Sequence, residues 1–438
     1  MNRVVVTGIG AVCPIGNSLT EAWAAAKQGL SGIAPITRFD ISGIKWKVAG
    51  ELKEFDAGKY LTRKEIIRLD PFVHYAVPAA IMAAEDAGLI EASSTGGNES
   101  PLPPSFNEGG TLNSLRCTLH PLLESAGVIV GSSRGGIGTM EKELRKTYSS
   151  HLTPYPSRTS AYLMPSTTIS MAPSYVARKL GIKGYCLGIS SACASGMSAI
   201  GEAYRLIKSG YETLVFCGGT EAPICRICVE GYGASGALSR INDASASRPF
   251  DRTRDGFVLS EGACILVLEE YGSALKRGAR TYGEIVGYGN TTDAFHQTIP
   301  SAESEARAIK KALDEAELKP EDVDLVSAHG TSTPLGDKTE TGSIKLSFGM
   351  SAYHIPIAAV KSVTGHMLAA SGALEAAFTL LSMNEGIIPP TINLKERDPE
   401  CDLDYVDEPR RAEIEFALSQ SFGFGGVNAV LIFKRMDV

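Results

Sequence analysis

Runs of apolar residues recur along the chain, and most of them are followed by a segment with helical periodicity. The runs are rich in Val, Ile and Leu, as buried strands are. They lie at residues 3–10, 127–133, 185–190, 213–219, 263–270, 283–289, 323–330, 355–362 and 416–435. Continuous apolar strands that alternate with helices are typical of parallel sheets covered on both faces, so the pattern predicts an α/β fold.

Three helices stand out in the pattern of apolar positions. Directly after residue 193, four apolar residues recur every three or four positions and define one helical face: Met197, Ile200, Tyr204 and Ile207. The segment 304–318 repeats this spacing through Ala306, Ile309, Leu313 and Ala316. The segment 365–383 is apolar nearly all round, which predicts a buried helix packed through small residues.

The chain divides into two parts of similar outline, and each part contains a strand that ends in a chemically reactive residue. The first part contains GISSACASG at 188–196, and the second contains VSAHGTSTPLGD at 326–337. A connecting helix and turn separate the two parts. We therefore predict one domain over 1–275 and another over 276–438.

The composition is that of a globular protein, since 44% of the 438 residues are hydrophobic and 21% are charged. The formal net charge of −7 argues against a general nucleic-acid-binding protein. No apolar run reaches the roughly 18 residues of a membrane span. Because the N-terminus enters a strand pattern at once, we expect no cleaved signal peptide and a cytoplasmic location, with a mature chain whose transit peptide was removed as the alternative.

One of the nine cysteines lies in an unusual setting. The number is odd and the chain is large, so a disulfide framework is not expected, and we interpret the single C-x-x-C pair of Cys225 and Cys228 as structural. Cys193 instead lies between a predicted strand and a predicted helix, among Ser, Ala and Gly. Unpaired N–H groups at a helix N-terminus can lower a cysteine pKa from about 8.5 to about 3.5–7.5. We therefore predict that Cys193 is a nucleophile.

Two of the seven histidines also follow strand-like segments. His329 begins a loop of Gly, Thr, Ser and Pro, and His366 precedes a helix with Lys361 five residues earlier. One histidine paired with a cysteine would indicate acyl transfer. Two histidines indicate in addition a pair of N–H donors for a developing oxyanion. The glycine-rich segment 421–429 is predicted to be either a tight hairpin or a flexible loop that supplies backbone N–H groups and a movable Phe to the site.

These motifs together resemble the β-ketoacyl-acyl carrier protein synthases of the elongating type, which are condensing enzymes of the thiolase superfamily. The resemblance extends over nearly the whole chain. It is carried, in order, by RVVVTGIGAVCPIGN, SSACASG, SRPFDRTRDGFVLSEGA, AHGTSTPLGDKTE, KSVTGHMLAASGA, PPTINL and SFGFGGVNAVLIF. It implies a five-layered αβαβα thiolase fold made of two similar halves, assembled as a homodimer.

The resemblance also implies a role for each residue of the site. Cys193 is expected to carry the acyl chain as a thioester. His329 and His366 are expected to bind the carbonyl of a malonyl thioester while it loses CO₂. Lys361 resembles the lysine near the second histidine, and Glu340 resembles its buried carboxylate partner.

Other positions correspond to the substrate channel. The backbone N–H groups of Cys193 and Phe424 resemble an oxyanion hole, and Phe424 also resembles a gating residue, with Phe422 beside it in the same loop. Thr331 and Thr333 match threonines near the pantetheine arm of the carrier. Asp337 lies in the same motif.

The chain departs from the family pattern at several places. Arg134 stands where a small apolar residue usually lines the acyl pocket, which predicts a shortened pocket or one for a polar or carboxylated chain; an Arg turned to solvent or paired across the dimer is the alternative. Gly236 replaces an Arg that often helps to dock the carrier.

Residues 91–114, rich in Gly, Ser, Pro and Asn, are predicted to form an unusually long surface loop. A basic cluster is a candidate for carrier docking, with a solvated helix face as the alternative: Arg63, Lys64 and Arg68.

The reaction that the resemblance implies is a decarboxylative Claisen condensation of malonyl-acyl carrier protein with the acyl group on Cys193, in fatty acid or related lipid synthesis. It needs no metal, flavin or nicotinamide. One alternative is a ketosynthase of a specialised polyketide-like or unusual-lipid cluster. A non-catalytic chain-length-factor-like partner is disfavoured because such chains usually lack the cysteine. A thiolase is disfavoured because its second cysteine would lie where this chain has SFGFGG.

Overall fold

The fold is seen in a computed structural model that describes residues 1–92, 117–149 and 159–436. From residue 93 onward, the long loop predicted over 91–114 therefore lies outside the described residues. None of the helices in the described ranges is both long and apolar enough to cross a membrane.

The described residues contain sixteen β-strands, numbered β1 to β16 in chain order. They are Val4–Val12, Ala34–Pro35, Val48–Ala49, Ile90–Ala92, Cys117–Leu119, Gly127–Gly131, Cys186–Ile189, Leu214–Glu221, Gly262–Glu270, Gly283–Thr292, Leu325–Ser327, Ile357–Ala358, Ile387–Ile388, Arg410–Arg411, Phe416–Gly423 and Val427–Lys434.

The same ranges contain fourteen α-helices, numbered α1 to α14. They are Leu19–Lys27, Arg63–Arg68, Pro71–Asp86, Leu122–Ser125, Ile137–Ser149, Leu163–Thr167, Met171–Leu180, Ser195–Lys208, Arg226–Ala234, Tyr271–Lys276, Ala302–Ala316, Pro334–Phe348, Lys361–Thr364 and Ala369–Glu385. Short 3₁₀ helices lie at Ala57–Lys59, Pro320–Asp322 and Gly349–Tyr353.

Ten strands form one continuous hydrogen-bonded ladder in the order β12-β11-β15-β16-β10-β1-β9-β8-β6-β7. Strands β6, β7 and β8 run parallel, as do β11, β12 and β15, but the pairs at the centre of the ladder are antiparallel. The expectation of a parallel sheet is therefore only partly right. The reason is connection length, since the few residues between β15 and β16 can join only antiparallel neighbours.

The helices pack in layers around the two halves of this ladder. Helices α3 and α7 cover the outer face of the half that contains β1, β6, β8 and β9, and α11 covers β10 and β16 on the opposite side. Helices α8 and α14 contact each other and touch strands of both halves, so they form the central layer. The predicted five-layered αβαβα fold with two similar halves is confirmed.

Close backbone contacts fix the central layer. A Cβ atom on Gly196 in α8, or on Gly219 in β8, would lie 2.2 Å from the carbonyl oxygen of Ala369 at the start of α14. Only glycine allows this approach without displacing backbone. The segments that carry Cys193 and His366 are thereby held against each other.

Candidate active site

Cys193 lies in a strained turn between β7 and α8. The preceding residue, Ala192, has a left-handed φ of +51°, a conformation that is uncommon outside glycine. Ser195 stabilises the turn from within, because its Oγ donates to the Ala192 carbonyl at 2.6 Å and accepts from the Ser191 N–H at 2.8 Å. The prediction of a cysteine between a strand end and a helix start agrees with the structure.

The end of β15 packs directly against this turn. A Cβ on Gly423 would lie 3.3 Å from the backbone nitrogen of Cys193, and Ser421 Oγ donates to the Cys193 carbonyl at 3.2 Å. The next residue, Phe424, directs its backbone N–H at the thiol of Cys193. One segment from each half of the molecule thus meets at the sulfur.

The environment of Cys193 is apolar, and this reverses the predicted shift of its pKa. Only 7% of the residue is exposed, and it lies in a cluster of buried hydrophobic side chains. Burial raises the pKa of the thiol to about 11, although the Phe424 N–H and the charge of Lys361 act in the opposite direction. The expected lowering of the pKa is not seen, because desolvation outweighs the Phe424 N–H and the charge of Lys361.

The two histidines lie next to each other beside this turn. Their ring centroids are 5.4 Å apart, with the ring planes at 85°. Lys361 Nζ lies 3.3 Å from His329 Nδ1, and the Ser371 hydroxyl lies 3.1 Å from His366 Nδ1. Burial lowers the pKa of both imidazoles well below its usual range, and the positive charge of Lys361 adds to this effect. Both rings are therefore neutral at neutral pH.

The partners of the two rings determine their tautomers. An ammonium group can only donate, so His329 Nδ1 is the acceptor and the ring proton is on Nε2. The Ser371 hydroxyl accepts from the Met367 N–H at 2.9 Å, and we assign its own hydrogen to His366 Nδ1. With these assignments each histidine has an Nε2–H donor, where the sequence predicted a pair of N–H donors without naming the nitrogen.

The carboxylate partner of Lys361 differs from the prediction. Lys361 Nζ lies 2.5 Å from Glu375 Oε1 in α14 and donates to the His329 carbonyl at 2.6 Å. Glu340 instead accepts from the backbone N–H groups of His329 and Gly330 at 2.6 and 2.7 Å, and from Gln420 at 2.6 Å. Glu340 therefore holds the His329 loop rather than pairing with the lysine.

Glu375 was missed, although the sequence contains a signal for it. It is a lone carboxylate within the otherwise apolar segment of α14, and a buried charge requires a partner. Burial raises the pKa of Glu375 to about 7, against the charge of Lys361.

The loop after His329 is held by a second carboxylate. Asp337 accepts from the backbone N–H groups of Ser332 at 3.0 Å and Phe250 at 2.8 Å. Thr331 and Thr333 lie beside it with their hydroxyl oxygens 3.0 Å apart. Asp337 is thus a support of this loop, and both threonines line a cavity.

A cavity of about 410 Å³ brings the predicted residues together. Its walls include eight of them: Cys193, Thr331, Thr333, His329, Glu340, His366, Phe422 and Phe424. Gly236 also lines it, with open space where a side chain would begin. Tyr232 of α9 is a wall residue that the sequence did not single out.

Arg134 lies behind Tyr232 and is not among the residues that line the cavity. Its Nε donates to the Tyr232 hydroxyl at 2.9 Å, and its guanidinium lies 5.2 Å from the centre of that ring.

The basic residues of α2 are apart from the cavity: Arg63 and Lys64 are exposed, and Arg68 stacks on Tyr162 at 4.1 Å.

The raised pKa of Cys193 makes a prediction about its reactivity. The thiolate fraction should rise about tenfold for each pH unit between about 7 and 10, because the pKa of about 11 lies above this range. The rate of alkylation of Cys193 by iodoacetamide, followed by peptide mass spectrometry, should rise in parallel. Glutathione measured alongside should level off near its ordinary pKa. A plateau for Cys193 below pH 8 would contradict the assignment.

The buried pair of Lys361 and Glu375 makes a second prediction. The change Glu375→Leu should lower the free energy of unfolding by about 3–5 kcal/mol, because it leaves an ammonium buried without its carboxylate. Adding Lys361→Met should recover most of this loss, as measured by chemical denaturation. The control is Asp314→Leu, which removes the carboxylate of an exposed pair with Lys310. Equal losses in Glu375→Leu and in the control would show that the pairing is misassigned.

Comparison with known proteins supports the resemblance. The family model for the N-terminal domain of beta-ketoacyl synthases matches residues 1–274, and the model for the C-terminal domain matches residues 282–395. The 3-oxoacyl-[acyl-carrier-protein] synthase 2 of Synechocystis sp. is 45% identical over 438 residues, covering 99% of this chain and 98% of that protein.

Two solved structures extend this comparison. The ishigamide ketosynthase/chain length factor matches with a TM-score of 0.87 and 34% identity over 100% of both chains. A hexaketide-bound ketosynthase, solved in complex with its type II polyketide synthase acyl-carrier protein, matches with a TM-score of 0.83 and 31% identity over 99% of this chain and 100% of that one. This chain belongs to the beta-ketoacyl synthase family.

Proposed function

We propose that this chain is a β-ketoacyl-[acyl carrier protein] synthase that extends an acyl group held on Cys193. The observation that carries the proposal is the convergence of three groups on one cavity: a buried thiol, the backbone N–H of Phe424, and two neutral imidazoles that each carry a proton on Nε2. Such a set can accept an acyl chain and stabilise an enolate.

The first half-reaction transfers the acyl group from its carrier. The sulfur of Cys193 attacks the thioester carbonyl, a bond from carbon to Sγ forms, and the bond to the pantetheine sulfur breaks. The thiol proton leaves with the pantetheine thiolate. The negative charge that develops on the carbonyl oxygen is stabilised by the backbone N–H groups of Cys193 and Phe424.

The second half-reaction joins the carbon chains. The carboxylate of the malonyl thioester leaves as CO₂, and its bonding electrons form an enolate whose oxygen accepts from the Nε2–H groups of His329 and His366. The enolate carbon then attacks the acyl carbonyl on Cys193, the new carbon–carbon bond forms, and the bond to Sγ breaks. Lys361 supports this step indirectly, because its ammonium keeps His329 Nδ1 unprotonated.

Acyl carrier protein is the partner that this chemistry requires. A solved relative at 31% identity is described as a ketosynthase in complex with its acyl-carrier protein. Thr331 and Thr333 line the cavity, where we assign them to the pantetheine arm. Arg63, Lys64 and Arg68 of α2 are our candidates to meet an acidic carrier helix. The homodimer, the two domains at 1–275 and 276–438, and the cytoplasmic location stay predictions from the sequence.

A second candidate is a ketosynthase with a specialised acyl substrate. The observation that favours it is the pair of Arg134 and Tyr232, which brings a guanidinium to the back of a cavity wall. The structural relatives at 34% and 31% identity are a ketosynthase/chain length factor and a polyketide ketosynthase. A chain-length-factor-like role is disfavoured because Cys193 and both histidines are present together.

The proposed function is tested by mass spectrometry after incubation with a panel of acyl-carrier thioesters. Cys193 should retain an acyl group, and Cys193→Ala should lose both the adduct and the condensation with malonyl-carrier protein. His366→Ala should keep the adduct but condense about 10²–10³-fold more slowly, because one oxyanion donor is lost. The control Cys186→Ser changes an exposed cysteine of β7 and should leave the adduct in place. An adduct that persists in Cys193→Ala would refute the proposal.

The specialised substrate is tested with short, long and ω-carboxy acyl thioesters. The unmodified chain should load short or ω-carboxy chains in preference to long unbranched ones. Arg134→Met should raise loading of long unbranched chains by about tenfold or more, because it releases the wall residue Tyr232 from its hydrogen bond and a pocket contact is typically worth about 1–3 kcal/mol. The matched control is Arg280→Met, which removes another guanidinium that lies over a tyrosine, Tyr282. Efficient loading of long unbranched chains by the unmodified chain would exclude this second candidate.

A further inference from the structure

We propose that Cys225 and Cys228 form a redox-active dithiol, which peroxide converts to a reversible disulfide at the start of α9. The proposal concerns this pair alone and does not depend on the condensation chemistry. It revises the sequence-based interpretation of the C-x-x-C motif as structural.

The geometry of the helix start brings the two sulfurs together. Cys225 is the N-cap of α9 and has an extended backbone, with φ −138° and ψ 162°. An N-cap side chain of this conformation folds back over the first turn towards the third helical residue, which here is Cys228. Cys228 belongs to an apolar cluster against which Cys225 packs, and both thiols are free.

The surroundings give the two cysteines different roles. Cys228 is 8% exposed and belongs to the apolar cluster that also contains Cys193, whereas Cys225 is half-buried at its edge. The positive charge of Arg134 interacts with Cys228. A guanidinium beside a sulfur stabilises the negative charge that develops during attack on peroxide, so we assign the first step to Cys228.

The second thiol stays protonated. Its interaction with Cys228 and its burial raise the pKa of the Cys225 thiol. We therefore assign Cys225 as the resolving thiol, which attacks only after Cys228 has been oxidised.

The proposed reaction is balanced with one equivalent of peroxide. The Cys228 sulfur attacks a peroxide oxygen, the O–O bond breaks, and the thiol proton passes to the leaving hydroxide, so that a sulfenic acid and one water form. Cys225 then attacks this sulfur, the S–S bond forms, and the S–O bond breaks with release of a second water. Two thiols are oxidised, peroxide is reduced to two waters, and a dithiol reductant reverses the change.

Oxidation of the pair should have a modest effect on the active-site cavity, because the pair begins α9 and this helix carries Tyr232 into the cavity wall.

Other cysteines provide an internal comparison. Cys217 and Cys264 lie on the neighbouring strands β8 and β9, but each is fully buried at 0% exposure. Peroxide should reach them far more slowly than the start of α9.

The experiment uses the full chain with Cys193→Ala, so that the predicted nucleophile does not react. The chain is treated with hydrogen peroxide, unreacted thiols are blocked with N-ethylmaleimide, and the product is digested with trypsin. Trypsin cleaves after Arg226, so the pair is divided between peptides 209–226 and 227–240. We expect a loss of two blockable thiols and a cross-linked pair of these peptides that dithiothreitol separates.

Two further variants identify the sulfurs, because peptide 209–226 also contains Cys217. Cys217→Ala should keep the cross-link, and Cys225→Ser should abolish it and leave Cys228 as an oxygenated thiol. The proposal is wrong if both thiols still react with N-ethylmaleimide after treatment, or if Cys228 gains oxygen without a cross-link while Cys225 is present. A cross-link that survives Cys225→Ser would equally overturn it.

Discussion

The ammonium group of Lys361 is the charge around which the active site is built. It is 1% exposed, and it contacts the Glu375 carboxylate, the His329 carbonyl and the His329 ring nitrogen Nδ1. Removing such an ion from water costs several kcal/mol, which the carboxylate and the carbonyl offset. In return, the ammonium fixes the tautomer of His329 and disfavours a positive charge on either imidazole. This one buried cation therefore keeps the rings of His329 and His366 neutral, so that both can act as hydrogen-bond donors beside Cys193.

Burial has opposite consequences for the histidines and the cysteine. An apolar cavity strengthens each hydrogen bond that the imidazoles donate to a developing oxyanion. The same environment raises the pKa of Cys193, because its thiolate loses hydration. The site therefore stabilises the enolate oxygen but does not stabilise the thiolate form of Cys193. The Phe424 N–H and the charge of Lys361 offset only part of the rise in the pKa of this thiol.

The parts of the site that the sequence predicted are those with a local signal. Cys193, His329 and His366 each follow a strand-like segment and lie next to small or hydroxyl-bearing residues, so their placement could be inferred from short stretches of sequence. The partner of Lys361 could not be inferred in this way, because Glu375 reaches it only when α14 packs over the turn of α13. The sign of the Cys193 pKa shift depends on burial by several elements at once, which no single segment reveals.

The fold, like the site, was predictable only where the signal lies in a short stretch of sequence. Apolar runs located most strands, but strand direction depends on the connections, and the tight turn between β15 and β16 requires an antiparallel pair. The helical pattern of residues 304–318 also predicted the wrong burial for one residue. Ala306 was expected on the buried face, whereas the acid Glu305 is buried at 1% exposure and lines the cavity. Side-chain burial at a cavity does not follow hydrophobicity alone, because a cavity wall can hold a polar group.

Of the departures from the family pattern, the two that lie in the described residues are on one side of the active site. Arg134 contacts Tyr232 of α9, and Gly236 follows the end of that helix. The central layer, by contrast, holds the segments of Cys193 and His366 through glycine contacts that tolerate no side chain. A chain that had lost its activity would be expected to differ at the centre as well. Two departures beside an intact centre argue that this protein differs from its relatives in what it accepts rather than in the reaction it performs.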